Sequence, residues 1–204
     1  MAAPALTRDY GAILGDSTAD DHLGYTPIDQ LYTSPQTEQN LAIAGSGADS
    51  QRSEWQNWGT ANQIRCKWAT IRVGLNDFDP GTTSAAITAR YQRLASAVKR
   101  RISGKVILST VTPCRERLVS VHGEVDGEFC YQQWLALNQA IQGGGSTPIT
   151  GCDGVASSHT ATLNDGLGNL LALYDHGDGI HINNAGRTIV AASEMAALTA
   201  SGAI

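Results

Sequence analysis

The chain has 204 residues, 42% of them hydrophobic and 16% charged, a balance that fits one globular domain over residues 1–204 and excludes a disordered chain. Its formal net charge of −5 argues against a nucleic-acid surface, which needs a basic excess. No apolar run approaches the roughly 20 residues that span a bilayer. The opening "MAAPALTRDY" lacks the charged region and long apolar segment of a signal peptide, so either export does not use that route or the signal is already removed.

In chain order, "YGAILG" (10–15) reads as a strand, and "TADDHLGYTPIDQLY" (18–32) as a helical segment broken near Pro27. "NLAIAG" (40–45) reads as a second strand, followed by the polar amphipathic stretch "ADSQRSEWQNWGTANQI" (48–64). "KWATIRVG" (67–74) is a third strand. "TSAAITARYQRLASAVKRR" (83–101) is the clearest helix, with apolar residues at every third or fourth position and Lys99, Arg100 and Arg101 at its end, where cations favour the macrodipole. "KVILSTV" (105–111) is a strand stopped by Pro113, and "YQQWLALNQAIQ" (131–142) a helix stopped by Gly143 to Gly145. "TPITGCDGVA" (147–156) is a last, weaker strand, and "NAGRTIVAASEMAALTA" (184–200) a terminal helix. Five buried-type strands alternating with helices predict a three-layer α/β/α sandwich around a parallel sheet.

In such a sheet, ligands sit beyond the carboxyl ends of the strands. Four segments there carry distinctive residues: Gly15-Asp16-Ser17, "AGSGADS" (44–50), "GLND" (74–77) and "DGIHINNAG" (178–186). Singly, each has a structural explanation: Ser17 as a helix cap, Gly45 or Gly47 as a turn residue, Asn76-Asp77 as an Asx turn, His181 as a surface histidine. Together they supply every part of an acyl-transfer site. A serine hydroxyl needs a base and the base needs an orienting group, which His181 and Asp178 provide. An oxyanion needs donors, and the N–H groups of Ser17 and Gly45 and the Asn76 amide offer three.

These four segments, in this order, resemble the SGNH hydrolases, also called the GDSL esterase/lipase superfamily. Gly15-Asp16-Ser17 matches the first block, Asn40 and Gly45 the second, Gly74, Asn76 and Asp77 the third, and Asp178, His181 and Gly186 the last. The match spans roughly residues 10 to 200. Two departures stand out: Thr18 replaces the leucine after the serine, and Gly47 rivals Gly45 for the oxyanion role. The resemblance implies an esterase with an SGNH/flavodoxin-like fold and no cofactor. Ser17, Asp178 and His181 would be its triad, Ser17, Gly45 and Asn76 its oxyanion hole, and Asp16, Gly74 and Asp77 its supporting loop residues.

"GDST" further resembles the opening block of carbohydrate acetylesterases, and the 113–130 segment reads as a polar loop and not an apolar lid. The expected substrate is therefore a short-chain ester, in particular an O-acetyl group on a carbohydrate, with Trp55, Trp58 and Trp134 as candidate stacking faces. The alternatives are a lipase or thioesterase with a longer acyl preference, and a non-catalytic binding module on the same fold. Asp175, His176, Asp178 and His181 invite a metal reading, but their spacing matches no zinc motif. His22, His122 and His159 read as structural. Cys114 and Cys130 bracket the polar 115–129 segment, leaving two alternatives, a disulfide closing that loop or a pair of free buried thiols. Disulfides and a sugar substrate would suit an extracellular, cell-envelope or virion-associated setting.

Overall fold

The computed structural model describes residues 10–20 and 37–204. The helix expected over 18–32 and His22 lie largely or wholly outside the described residues.

Strand β1 (Tyr10–Gly15) is followed by β2 (Thr37–Asn40), helices α1 (Ala48–Asn57) and α2 (Thr60–Arg65), β3 (Cys66–Arg72), a 3-10 turn (Leu75–Asp77) and α3 (Ser84–Lys99). Then come β4 (Lys105–Ser109), α4 (Arg115–Ile141), β5 (Gly154–Ala156), α5 (Ser158–Leu163) and α6 (Asn184–Ala200). Within the described residues the five strands form one parallel sheet in the order β2-β1-β3-β4-β5. Side chains alternate across it. Ala12, Leu14, Ile71, Val106 and Leu108 join one core cluster, which includes Leu94 of α3 and Leu137 of α4. Ile13, Trp68 and Ile107 face the opposite way, onto Val190, Ala191 and Leu198 of α6. Both faces of the sheet are thus covered, which is why its central strands are mostly apolar. Trp68 lies flat against β1 because residue 11 is glycine: a Cβ there would stand 2.0 Å from the indole.

Two elements differ from the sequence expectation. β2 ends at Asn40, although the Leu41 and Ile43 N–H groups still donate to Ile13 and Gly15 of β1; a turn closed by Ser46 N–H on the Ile43 carbonyl then carries the chain off the sheet. The segment after Cys114 is helix and not loop. It forms the first part of α4, which Gly123 (φ 81°) breaks and redirects. The two arms pack closely, since a Cβ on Gly127 would come within 2.4 Å of the Val119 Cα, and Arg115 pairs with Glu128 across the break at 3.0 Å.

The sequence left the state of the cysteines open. All four are free thiols, so of the two alternatives for Cys114 and Cys130 the structure has the unbonded one. The segment between them is held by helix packing and needs no staple. Burial pushes the Cys66 thiol up to about 12 and Cys152 up to about 11, which makes both poor nucleophiles. Among the described residues no helix is long and apolar enough to cross a membrane.

Candidate active site

β1 is flanked by β2 and β3, so the turns after these three strands stand side by side. Ser17 lies on the turn after β1, and Gly15 lets that turn bend tightly: a Cβ at residue 15 would stand 2.6 Å from the Ala19 Cβ. The Asp16 carboxylate, 1% exposed, accepts the Thr18 N–H at 3.0 Å and the Thr18 hydroxyl at 2.8 Å, and the Ala19 N–H closes the turn on the Asp16 carbonyl. Burial raises the Asp16 carboxyl above its ordinary range, against the pull of the Thr18 donors, the Arg72 charge and the Leu75 N–H.

The loop before α6 brings the other two groups to Ser17. His181 Nε2 stands 2.9 Å from Ser17 Oγ, and His181 Nδ1 stands 2.5 Å from Asp178 Oδ2. A carboxylate only accepts, so Nδ1 carries the proton and Nε2 is left to accept from the serine hydroxyl. The second Asp178 oxygen takes the backbone N–H groups of His181 at 2.9 Å and Ile180 at 3.1 Å, which fixes the carboxylate plane. Burial alone would push the Asp178 carboxyl up. The N–H donors of His181 outweigh it, with help from Ile180, and hold the group below its ordinary value and ionised. Asn183 then starts α6, accepting the Gly186 N–H at 3.1 Å.

The turns on either side of Ser17 carry the expected oxyanion donors. Gly45 has φ +76° and open space around its Cα, and Asn76 lies on the 3-10 turn after Gly74 (φ +128°). Neither the Ser17 nor the Gly45 N–H donates within the described residues. One Asn76 Nδ2 hydrogen goes to the Ser46 carbonyl at 3.0 Å, which ties the β2 and β3 turns together across the end of β1 and leaves a second hydrogen. Gly47 plays another part. It precedes α1 against the Asp77 carboxylate, where a Cβ would fall 2.7 Å from Oδ1. Asp77 in turn accepts the Ala48 N–H at 2.7 Å and the Arg90 guanidinium at 3.3 Å. Asn40 accepts the Ala42 N–H and donates to the Ala19 carbonyl, joining the β2 turn to the β1 turn.

Ser46 escaped the sequence reading. Its carbonyl accepts from Asn76, while its buried hydroxyl donates to the Gly15 carbonyl at 3.1 Å and accepts from Gln51. A lone serine between two glycines carries no signal for that. The tryptophans offer no sugar platform as first expected: Trp55 is fully buried, Trp134 is 3% exposed, and Trp58 packs on Tyr10 and Trp55. Asp175 spends its oxygens on the N–H groups of Gly177, Asp178 and Gly179, and among the described residues no group of three His, Cys, Asp or Glu side chains is arranged to hold a metal.

The five-stranded parallel sheet covered on both faces is a fold this chain shares with solved structures of a GDSL-like lipase and other acyl hydrolases. A GDSL-like lipase from Bacteroides thetaiotaomicron superposes with a TM-score of 0.68 at 17% identity, covering 95% of this chain and 89% of that one. An acetylxylan esterase from Geobacillus stearothermophilus gives 0.59 at 16% identity, over 95% and 94% of the two chains. The catalytic domain of peptidoglycan O-acetyltransferase A from Streptococcus pneumoniae gives 0.57 at 14%, over 96% and 95%. No family model and no curated protein matches the sequence.

Proposed function

We propose that this protein is a serine ester hydrolase that removes short acyl groups, with O-acetyl groups on carbohydrate as the substrate class. The observation that carries the reading is the relay from Asp178 through His181 to Ser17, with contacts of 2.5 and 2.9 Å beyond the carboxyl end of β1. Ser17 attacks the ester carbonyl while His181 takes its proton, held in the required tautomer by Asp178. The oxyanion rests on the N–H groups of Ser17 and Gly45 and the second hydrogen of the Asn76 amide. Gly45 takes this role over Gly47, whose Cα faces the Asp77 carboxylate. His181 protonates the leaving alcohol, and water then repeats the cycle to free the acid. Asp16, Gly74 and Asp77 shape the turns that hold these groups, and no step needs a cofactor.

Support for an acetylated carbohydrate comes from the Gly15-Asp16-Ser17-Thr18 opening and from the likeness in fold to an acetylxylan esterase and a peptidoglycan O-acetyltransferase. A longer acyl preference draws on a different observation. The first turn of α4 packs against Gly179, beside the triad, and the same helix exposes Val121, Val125 and Phe129. Hydrolysis of p-nitrophenyl acetate, butyrate and octanoate, with acetate release from acetylated xylan, separates the two. We expect acetate to be cleaved fastest and the xylan to be deacetylated. Rates that rise toward octanoate would overturn the short-chain assignment.

A further inference from the structure

A buried guanidinium lies beneath the Ser17 turn. Arg72 ends β3, opposite Gly15 in the strand register, and is 2% exposed. A charge inside a sheet covered on both faces must be paired. Arg72 Nη2 donates to the Thr18 carbonyl at 3.1 Å, and its Nε stands 3.8 Å from Oε1 of Glu194, a carboxylate 1% exposed on α6. That helix begins three residues after His181. It also grips the far end of the serine turn, where Arg187 donates to the Asp20 carbonyl at 2.7 Å. The two carbonyls that flank the serine turn are therefore held by arginines, one on α6 and one paired to it.

We infer that Arg72 is a positioning residue: anchored by Glu194, it fixes the Thr18 carbonyl and with it the direction in which Ser17 presents its hydroxyl to His181 and its N–H to the oxyanion. The inference rests on the reading of Ser17 as nucleophile. Arginine suits the place because its planar fork can serve a carbonyl and a carboxylate at once, where a lysine ammonium is a point charge on a flexible stem. The same charge pulls against burial at Asp16, the carboxylate that closes the turn on Thr18. Arg72 touches no substrate, so its loss acts on turnover and not on binding. A displacement of about 1 Å at the nucleophile is enough to cost roughly 10²-fold.

The test compares Arg72→Lys with the double variant Arg72→Met/Glu194→Met, by steady-state hydrolysis of p-nitrophenyl acetate and by thermal unfolding. Removing one partner of a buried pair strands the other charge, whereas replacing both by apolar side chains of similar length is often neutral for stability. We expect the double variant to melt close to wild type and keep its KM within about twofold, with kcat down roughly 10²-fold. Arg72→Lys, which keeps the charge and loses the fork, falls between the two in kcat. Wild-type kcat in either variant, or a loss confined to KM, overturns the positioning role. An inert wild type refutes the hydrolase reading and this inference with it; an active wild type beside an equally active double variant refutes the inference alone.

Discussion

Acidification should destabilise this protein through one buried histidine outside the proposed triad. His159 is fully buried on α5. Its Nε2 faces the Thr110 carbonyl at 2.9 Å, an acceptor only, so Nε2 carries the proton; its Nδ1 takes the Ser193 hydroxyl at 3.1 Å. The neutral ring is satisfied at both nitrogens, and a second proton would oppose the hydrogen of the Ser193 hydroxyl inside the core. Burial, aided by the Arg72 charge and opposed by Glu194, brings the imidazole from 6.5 down to about 4. The folded value lies below the unfolded one, so the unfolded chain takes up the proton first. The stability is complete above pH 6.5 and is lost as pH falls from 6.5 toward 4. At about 1.4 kcal/mol per pH unit that gap is worth about 3 kcal/mol. Urea unfolding of wild type and His159→Gln at several pH values between about 7.5 and 4 measures it. Glutamine offers a donor and an acceptor but cannot titrate, and the carboxylates titrate equally in both proteins. The wild type should lose about 3 kcal/mol more than the variant over that range. Parallel profiles would refute the reasoning.

Asn76→Ala should lower kcat by roughly 10²–10³ while the protein remains folded, as expected for loss of one oxyanion donor; turnover near wild type would remove Asn76 from the site. Because the four cysteines are free and three are buried, dithiothreitol should leave the melting temperature unchanged, and a drop on reduction would reveal a disulfide. Ester hydrolysis should survive prolonged EDTA treatment, since the proposed steps use no metal; loss of activity restored by a divalent cation would reopen the metal reading of the 175–181 loop.

Much of the architecture could be read from the chain because a doubly covered parallel sheet writes itself as apolar strands alternating with helices. The residues at the strand ends, Ser17, Gly45, Asn76 and His181, stood out because their types have few uses together. What escaped was held by long-range packing. The 115–129 segment reads as a loop because two glycines and six acidic or basic residues interrupt its periodicity. Its helical arms are stabilised instead by the Gly127–Val119 contact and the Arg115–Glu128 pair. α5 is six residues long, too short for a periodic signal, and is anchored by His159. Gly45 and Gly47 were indistinguishable in sequence, since only Asp77, thirty residues on, occupies the space beside Gly47. Arg72 did leave a trace, an arginine inside the apolar run "KWATIRVG", but its partner Glu194 lies more than a hundred residues away.

The most direct test of the central claim is covalent labelling by a fluorophosphonate, followed by mass spectrometry of the peptide containing residue 17. A single adduct on Ser17 in the wild type, absent from His181→Ala, is the predicted result, because the hydroxyl is nucleophilic only when the imidazole takes its proton. An unlabelled wild type, or an adduct on another residue, would contradict the account.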